Sequence, residues 1–151
     1  MYVGFDYEGQ IENMTLTSAI QDILQITAGS TVPFVLTHLV LTAGTVNQNI
    51  MRVQWVWRST ASTTSTASGT LKGKSTSMPA ASASLAGGLT ALGTAGNLGG
   101  AQEWNVTAPL EYNWVPKGIV CPAAGFLCLE CMAPFGTTLP VSIWLEGYEV
   151  K

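Results

Sequence analysis

Hydrophobic and polar residues alternate with a period of two along several short segments of this chain. The clearest segment runs from Ile50 to Arg58. One face would carry Met51, Val53, Trp55 and Trp57, and the other Arg52, Gln54 and Arg58. Because successive side chains of a strand point to opposite sides of a sheet, this pattern predicts a β-strand.

Similar patterns predict strands along most of the chain. They cover 20–26, 34–42, 102–106, 110–115, 125–132 and 139–150. The last strand would place Leu139, Val141, Ile143 and Leu145 on one face, and Ser142, Trp144, Glu146 and Tyr148 on the other. Short strands separated by Gly, Pro, Asn and Ser turns are typical of a sandwich or jelly roll. The expected fold is all-β, a single jelly-roll-like β-sandwich domain over residues 1–151.

Two segments lack a strong strand pattern. Residues 1–14 are expected to form an amino-terminal arm. Residues 59–102 are built from Ser, Thr, Ala and Gly, with Lys72 and Lys74 as their two charges, and are expected to form a long loop. This composition favours a flexible surface excursion. A loop ordered by neighbouring subunits is the alternative, because its later half contains Leu85, Leu89, Leu92 and Leu98.

Charged residues are scarce, at 10% of 151 residues against about 25% in ordinary soluble domains. A membrane span does not explain the deficit. The best candidate, Gly118 to Gly136, contains Pro122, Glu130 and Pro134 and is too interrupted to cross a bilayer. A dissolved monomer normally keeps a charged surface. We therefore expect the chain to pack against copies of itself or against a partner.

Net charge, the amino-terminal residues and the cysteines limit the classes of partner and the expected folding environment. A net charge of −3 with scattered basic residues argues against nucleic acid. The amino-terminal residues have no basic start and no apolar core, so no signal peptide is expected. Cys121, Cys128 and Cys131 are therefore expected to be reduced thiols in a cytosolic folding environment.

The sequence contains no convincing set of catalytic or metal-binding residues. His38, in mid-strand with Phe34, Leu36 and Val40 on its face, is expected to be a hydrogen-bonded core residue and not a catalytic base. Cys128 and Cys131, three apart on a strand, should point to opposite faces and cannot share a metal. Glu146 and Glu149 are also three residues apart on a strand, so they are expected to face opposite ways and not to form an acid–base pair. We expect no enzyme activity, no cofactor and no metal.

The aromatic residues of the carboxy-terminal strands are more informative. Trp144 and Tyr148 lie opposite an aliphatic row, and Tyr112 and Trp114 share a face of their own strand. Tyr and Trp in such positions are common at subunit interfaces. A second packed face and a carbohydrate-binding surface are the alternatives.

Three carboxy-terminal stretches carry a family resemblance. They are Leu110-Glu-Tyr-Asn-Trp-Val-Pro-Lys-Gly118, Pro122-Ala-Ala-Gly-Phe-Leu-Cys-Leu129 and Val141-Ser-Ile-Trp-Leu-Glu146. They resemble the small capsid decoration (cement) proteins of tailed phages over about the last 40 residues, mainly through glycine and proline turns. The resemblance implies a trimeric jelly roll or related sandwich on the outside of an icosahedral head. Such proteins clamp neighbouring major capsid proteins, often with help from an amino-terminal arm.

The expected function is therefore that of a structural virion protein, made in the host cytoplasm and located on the outer capsid surface. Its expected partners are itself, as a homo-trimer, and the major capsid protein, with no nucleic acid and no membrane. Subunit packing is assigned to Tyr112, Trp114, Trp144 and Tyr148, and capsid docking to Tyr2, Phe5 and Tyr7. The alternative is a host-surface or glycan-binding knob or fibre protein of similar β fold.

Overall fold

The computed structural model describes residues 4–45, 50–133 and 138–151, and these residues form an all-β fold. The strands are β1 (Gly4–Leu16), β2 (Gln21–Thr27), β3 (Phe34–Ala43), β4 (Ile50–Arg58), β5 (Ala67–Gly73), β6 (Ser84–Leu89), β7 (Ala95–Asn105), β8 (Leu110–Asn113), β9 (Ile119–Cys121), β10 (Phe126–Ala133) and β11 (Leu139–Val150). The predicted fold class is confirmed. No helix in the described ranges is long and apolar enough to cross a membrane.

The strands form one curled antiparallel sheet in the order β7-β4-β10-β2-β6-β5-β1-β11-β3-β8, with β9 also paired to β3. Strand β5 joins the two halves, since it pairs with β6 through residues 67–69 and with β1 through residues 70–73. We call β7-β4-β10-β2-β6 the first layer, and β5-β1-β11-β3 with β8 and β9 the second layer. The curl brings the inner faces of both layers into one core, as in a β-sandwich.

Strand β11 shows most clearly how the core forms. Its residues alternate between buried and partly exposed almost throughout, and the predicted aliphatic row of Leu139, Val141, Ile143 and Leu145 is buried. Complete burial of such a side chain contributes about 1.5–3 kcal/mol to folding. The predicted inner and outer faces of this strand are therefore confirmed.

The amino-terminal segment is a core strand, which corrects the expectation of an arm over residues 4–14. Strand β1 lies between β5 and β11. Tyr7 and Ile11 are buried on its inner side. Two features hide the strand in the sequence: Gly9 occupies an inward position, and a bulge at Glu12–Asn13 shifts the alternation so that Met14 points inward.

Residues 59–102 contain β5, β6 and most of β7, so the expected long loop is also corrected. Small residues are needed here because the strands approach closely. A Cβ atom at Gly69 would lie 2.5 Å from the backbone oxygen of Gln10, and one at Gly87 would collide with the sulfur of Met14. The Gly, Ala and Ser content that resembles a linker therefore reflects close packing at the turn between the layers.

His38 lies on the outer face of the second layer. This corrects the expectation that it is a core residue. Strand β3 contains an extra residue, Thr37, between the pairs Leu36–Gly147 and His38–Glu146. This bulge reverses the alternation. Leu36 and Leu39 both point inward as a result, and His38 points outward.

Candidate functional site

Four aromatic residues cluster at the open edge of the sandwich, where the first layer meets β8. Trp55 and Trp57 come from β4, Tyr112 from β8, and Trp114 from the turn that follows. We call these four residues the aromatic rim. The rings of Tyr112 and Trp114 are stacked, with centroids 5.0 Å apart and planes 6° from parallel. Trp55 meets both edge-on at 5.5 Å.

Local backbone structure places these rings. Tyr112 and Trp114 are two residues apart in extended chain, so their side chains fall on one side. The turn after Trp114 is closed by hydrogen bonds from the amides of Lys117 and Gly118 to the Trp114 carbonyl. Gly118 has a φ of 78°, a conformation that favours glycine.

The aromatic rim surrounds a groove of about 260 Å³. Residues 99–102 of β7 form its other lip. Gly99 allows this approach, because a Cβ there would lie 2.8 Å from the Cβ of Trp55. Trp57 Nε1 donates a 2.7 Å hydrogen bond to the Val120 carbonyl and so ties β4 to β9 across the opening.

The polar atoms of the rim are unevenly satisfied. Trp55 Nε1 is buried and makes no hydrogen bond within the described part of the chain. Burial raises the pKa of the Tyr112 hydroxyl. The groove is thus lined mainly by aromatic rings.

Three exposed apolar residues are sequence neighbours of residues that line the groove. Leu98 on β7 is 63% exposed, Val115 beside Trp114 is 65% exposed, and Val120 on β9 is 48% exposed. Strand β7 pairs with β4 on one side and forms the edge of the sheet. Its residues 95–102 carry no charge. Natural edge strands are usually protected by charge, proline or a cover, so this edge is suited to protein contact.

The four aromatics predicted for a subunit interface lie on two separate surfaces. Tyr112 and Trp114 belong to the aromatic rim, whereas Trp144 and Tyr148 lie on the outer face of the second layer. Trp55 and Trp57 share one predicted face of β4 but are not among the predicted interface residues. A signal for them exists in the Gly99-Gly100 pair, whose lack of side chains leaves the aromatic faces open.

Of the three residues predicted for docking, only Tyr7 has a described side chain. Tyr2 lies outside the described residues, and Phe5 is described only as part of the β1 backbone, where it pairs with Glu149. Tyr7 is fully buried, and its hydroxyl donates to the Pro79 carbonyl at 3.1 Å. A docking role for Tyr7 is therefore wrong.

The outer side of the first layer holds a buried charge cluster. Arg58 contacts Asp22 through two hydrogen bonds of 2.8 Å and also contacts Glu130. Its Nη1 donates to the Gly93 carbonyl at 2.9 Å, and Ser62 Oγ donates to Asp22. These contacts fix the segments around residues 62 and 93 over the layer. We assign the cluster a structural role, because its groups bind one another.

Cys128 and Cys131 point to opposite faces of β10, and Glu146 and Glu149 point to opposite faces of β11, as predicted. Cys131 belongs to the core, whereas Cys128 lies beside Gln25 on the other side of β10. Burial raises the pKa of Cys121 to about 11 and raises that of Cys128 as well, so both thiols are poor nucleophiles at neutral pH. Glu149 accepts hydrogen bonds from the backbone amides of residues 82 and 83, and Glu146 pairs with Lys74 on the outer face.

Within the described ranges, no three His, Cys, Asp or Glu side chains converge as metal ligands. Comparisons of the chain with protein-family models, with curated proteins and with solved structures find no match.

Proposed function

We propose that this chain is a structural virion protein that decorates and stabilises an icosahedral phage capsid as a homo-trimer. The observation that carries the proposal is the open edge: an exposed strand β7, without charge over residues 95–102, beside a groove lined by aromatic rings. A surface of this kind is costly for a protein that works alone, because it invites strand pairing and association. It is useful to a subunit of a permanent assembly.

The two lips of the groove differ, and this difference supports a cyclic arrangement. One lip consists of residues 99–102 of β7, and the other of Tyr112, Trp114 and Ile119 from β8, β9 and the turn between them. A contact between unlike surfaces is heterologous, and it gives a closed ring when the rotation between subunits closes. In the proposed trimer, each subunit offers its β7 lip to one neighbour and its β8–β9 lip to the other.

Stabilisation of the capsid would be mechanical and would need no active site. A trimer that bridges neighbouring major capsid proteins binds only the assembled shell, so binding shifts the equilibrium towards that shell. Linked contacts of modest strength become strong when three subunits engage together. The chain would be made in the host cytoplasm and would act on the outer surface of the head.

The test uses empty, expanded capsids of the virus that encodes the chain. Purified protein should bind them saturably, in multiples of three copies, and should raise the temperature at which they rupture in calorimetry. The same capsids without added protein provide the baseline. Protein that leaves both sedimentation and rupture of these capsids unchanged would contradict the proposed function.

A further inference from the structure

We infer that the outer face of the second layer binds a linear, neutral oligosaccharide across Trp144. This inference is independent of the proposed capsid role, because it concerns a different surface from the aromatic rim. Trp144 is half-buried at the point where two grooves meet, and polar side chains surround it.

Strand register creates an extended track. Thr70, Gln10, Trp144 and Val40 are successive cross-strand partners on β5, β1, β11 and β3. With strands about 4.8 Å apart, this row is roughly 14 Å long. A groove of about 80 Å³ lies on the β5 side and one of about 240 Å³ on the β3 side, and both are lined by Gln10 and Trp144. The track suits a ligand with more than one ring.

The chemistry of the larger groove selects the class of ligand. Its polar lining consists of two amides, two hydroxyls and one carboxylate: Gln10, Asn13, Thr42, Ser142 and Glu12. Amides and hydroxyls both donate and accept hydrogen bonds, as sugar hydroxyls do. An indole ring offers a flat apolar surface to the C–H face of a pyranose. An apolar partner would leave these polar groups unpaired at a cost.

Charge argues for a neutral ligand. Glu8 and Glu12 line the two grooves, and Lys72 is the only cation among the lining residues of either. Lys72 is also the cross-strand partner of Glu8. The local charge is therefore unfavourable for uronates, sialylated chains or nucleic acid.

The face is held in shape before any ligand binds. The β1 bulge sets Glu12 and Asn13 opposite the single residue Ser142. Asn13 adopts a φ of 50°, and its backbone N–H donates a 3.1 Å hydrogen bond to Ser142 Oγ. His38 meets the Trp144 ring edge-on at 5.1 Å, and His38 Nε2 lies 2.7 Å from a Glu111 oxygen. Preorganisation of this kind lowers the entropic cost of binding.

The test measures binding of cellohexaose, maltohexaose, laminarihexaose and oligogalacturonate by saturation-transfer NMR and tryptophan fluorescence. We expect at least one neutral hexaose to bind with a dissociation constant of about 1 mM or tighter. Oligogalacturonate should bind more weakly than that hexaose. Failure of all the neutral sugars, or preference for oligogalacturonate, overturns the inference.

Variants locate the site. Trp144→Ala should weaken binding at least about tenfold, and Trp144→Phe should retain most of it, because an aromatic face remains. Gln10→Ala removes an exposed side chain and should weaken binding without unfolding the strand. Arg52→Ala, at an exposed position on β4 in the first layer, is the control and should bind sugar normally. Sugar binding that survives Trp144→Ala and Gln10→Ala contradicts the assignment, whatever the capsid experiment shows.

Discussion

Arg58 and Asp22 form a buried bidentate ion pair, with Nε–Oδ2 and Nη2–Oδ1 distances of 2.8 Å. Both side chains are almost inaccessible to solvent. Burial works to lower the pKa of the guanidinium, but the contacts with Asp22 and Glu130 raise it overall. Arg58 therefore stays charged, and the segment after β4 closes over the pair through contacts of Ser62 and Gly93.

Replacing Arg58 alone should strongly destabilise the fold. Arg58→Met leaves Asp22 buried without its cation, which typically costs about 3–5 kcal/mol. The double variant Arg58→Met, Asp22→Leu should recover part of this loss, because no unpaired charge remains on that pair. Urea unfolding monitored by tryptophan fluorescence gives the free energies.

Arg52→Met is the matched control for this experiment. Arg52 lies on the same strand but is exposed, so its replacement should change the free energy of unfolding by less than about 0.5 kcal/mol. Equal effects at residues 52 and 58 would show that the buried pair does not fix the segment.

Regular alternation made much of the fold predictable. The inner rows of β4 and β11 follow the period of two closely enough to be found from sequence. Bulges defeat this reasoning, because one extra residue reverses the faces: Glu12–Asn13 hid β1, and Thr37 moved His38 to the outside. Neither bulge follows from local composition.

The aromatic rim was only half predictable for a different reason. Tyr112 and Trp114 stand two apart and were identified together. Trp55 and Trp57 share one face of β4, as expected, but that face opens into a groove because β4 lies next to the sheet edge. Strand order, which decides this, depends on long-range pairing that periodicity does not report.

A glycine in the Ser/Thr/Ala/Gly-rich segment should be intolerant of even one methyl group. Gly69→Ala places a Cβ 2.5 Å from the Gln10 carbonyl oxygen, and this backbone cannot move without disturbing β1. We expect a loss of about 1–3 kcal/mol in the free energy of unfolding. Gly100→Ala, where a Cβ meets nothing within 4 Å, is the control and should be close to neutral. A neutral Gly69→Ala would contradict the close packing of β5 on β1.

A charge on the open edge should prevent trimer formation. Leu98→Lys puts a cation on the exposed side of β7, the kind of residue that protects natural edge strands. Light scattering coupled to gel filtration should change from trimer to monomer. Leu92→Lys, a leucine that is 39% exposed outside β7, should remain a trimer. A wild-type monomer at micromolar concentration would remove the proposed trimer itself.

Alkaline pH should destabilise the protein through Cys121. Burial raises the pKa of this thiol from about 9 to about 11, because the thiolate would lose its hydration in the core. Between these values the unfolded chain releases a proton that the folded protein retains. The free energy of unfolding is therefore unaffected by this group below pH 9 and falls as the pH rises towards 11. Cys121→Ala removes the titrating group, so urea unfolding from pH 8 to pH 11 should show a shallower decline for the variant. Parallel declines in the two proteins would mean that Cys121 does not titrate in this range or is already accessible to solvent, and rapid reaction of the folded protein with a thiol reagent at pH 8 would support the second explanation.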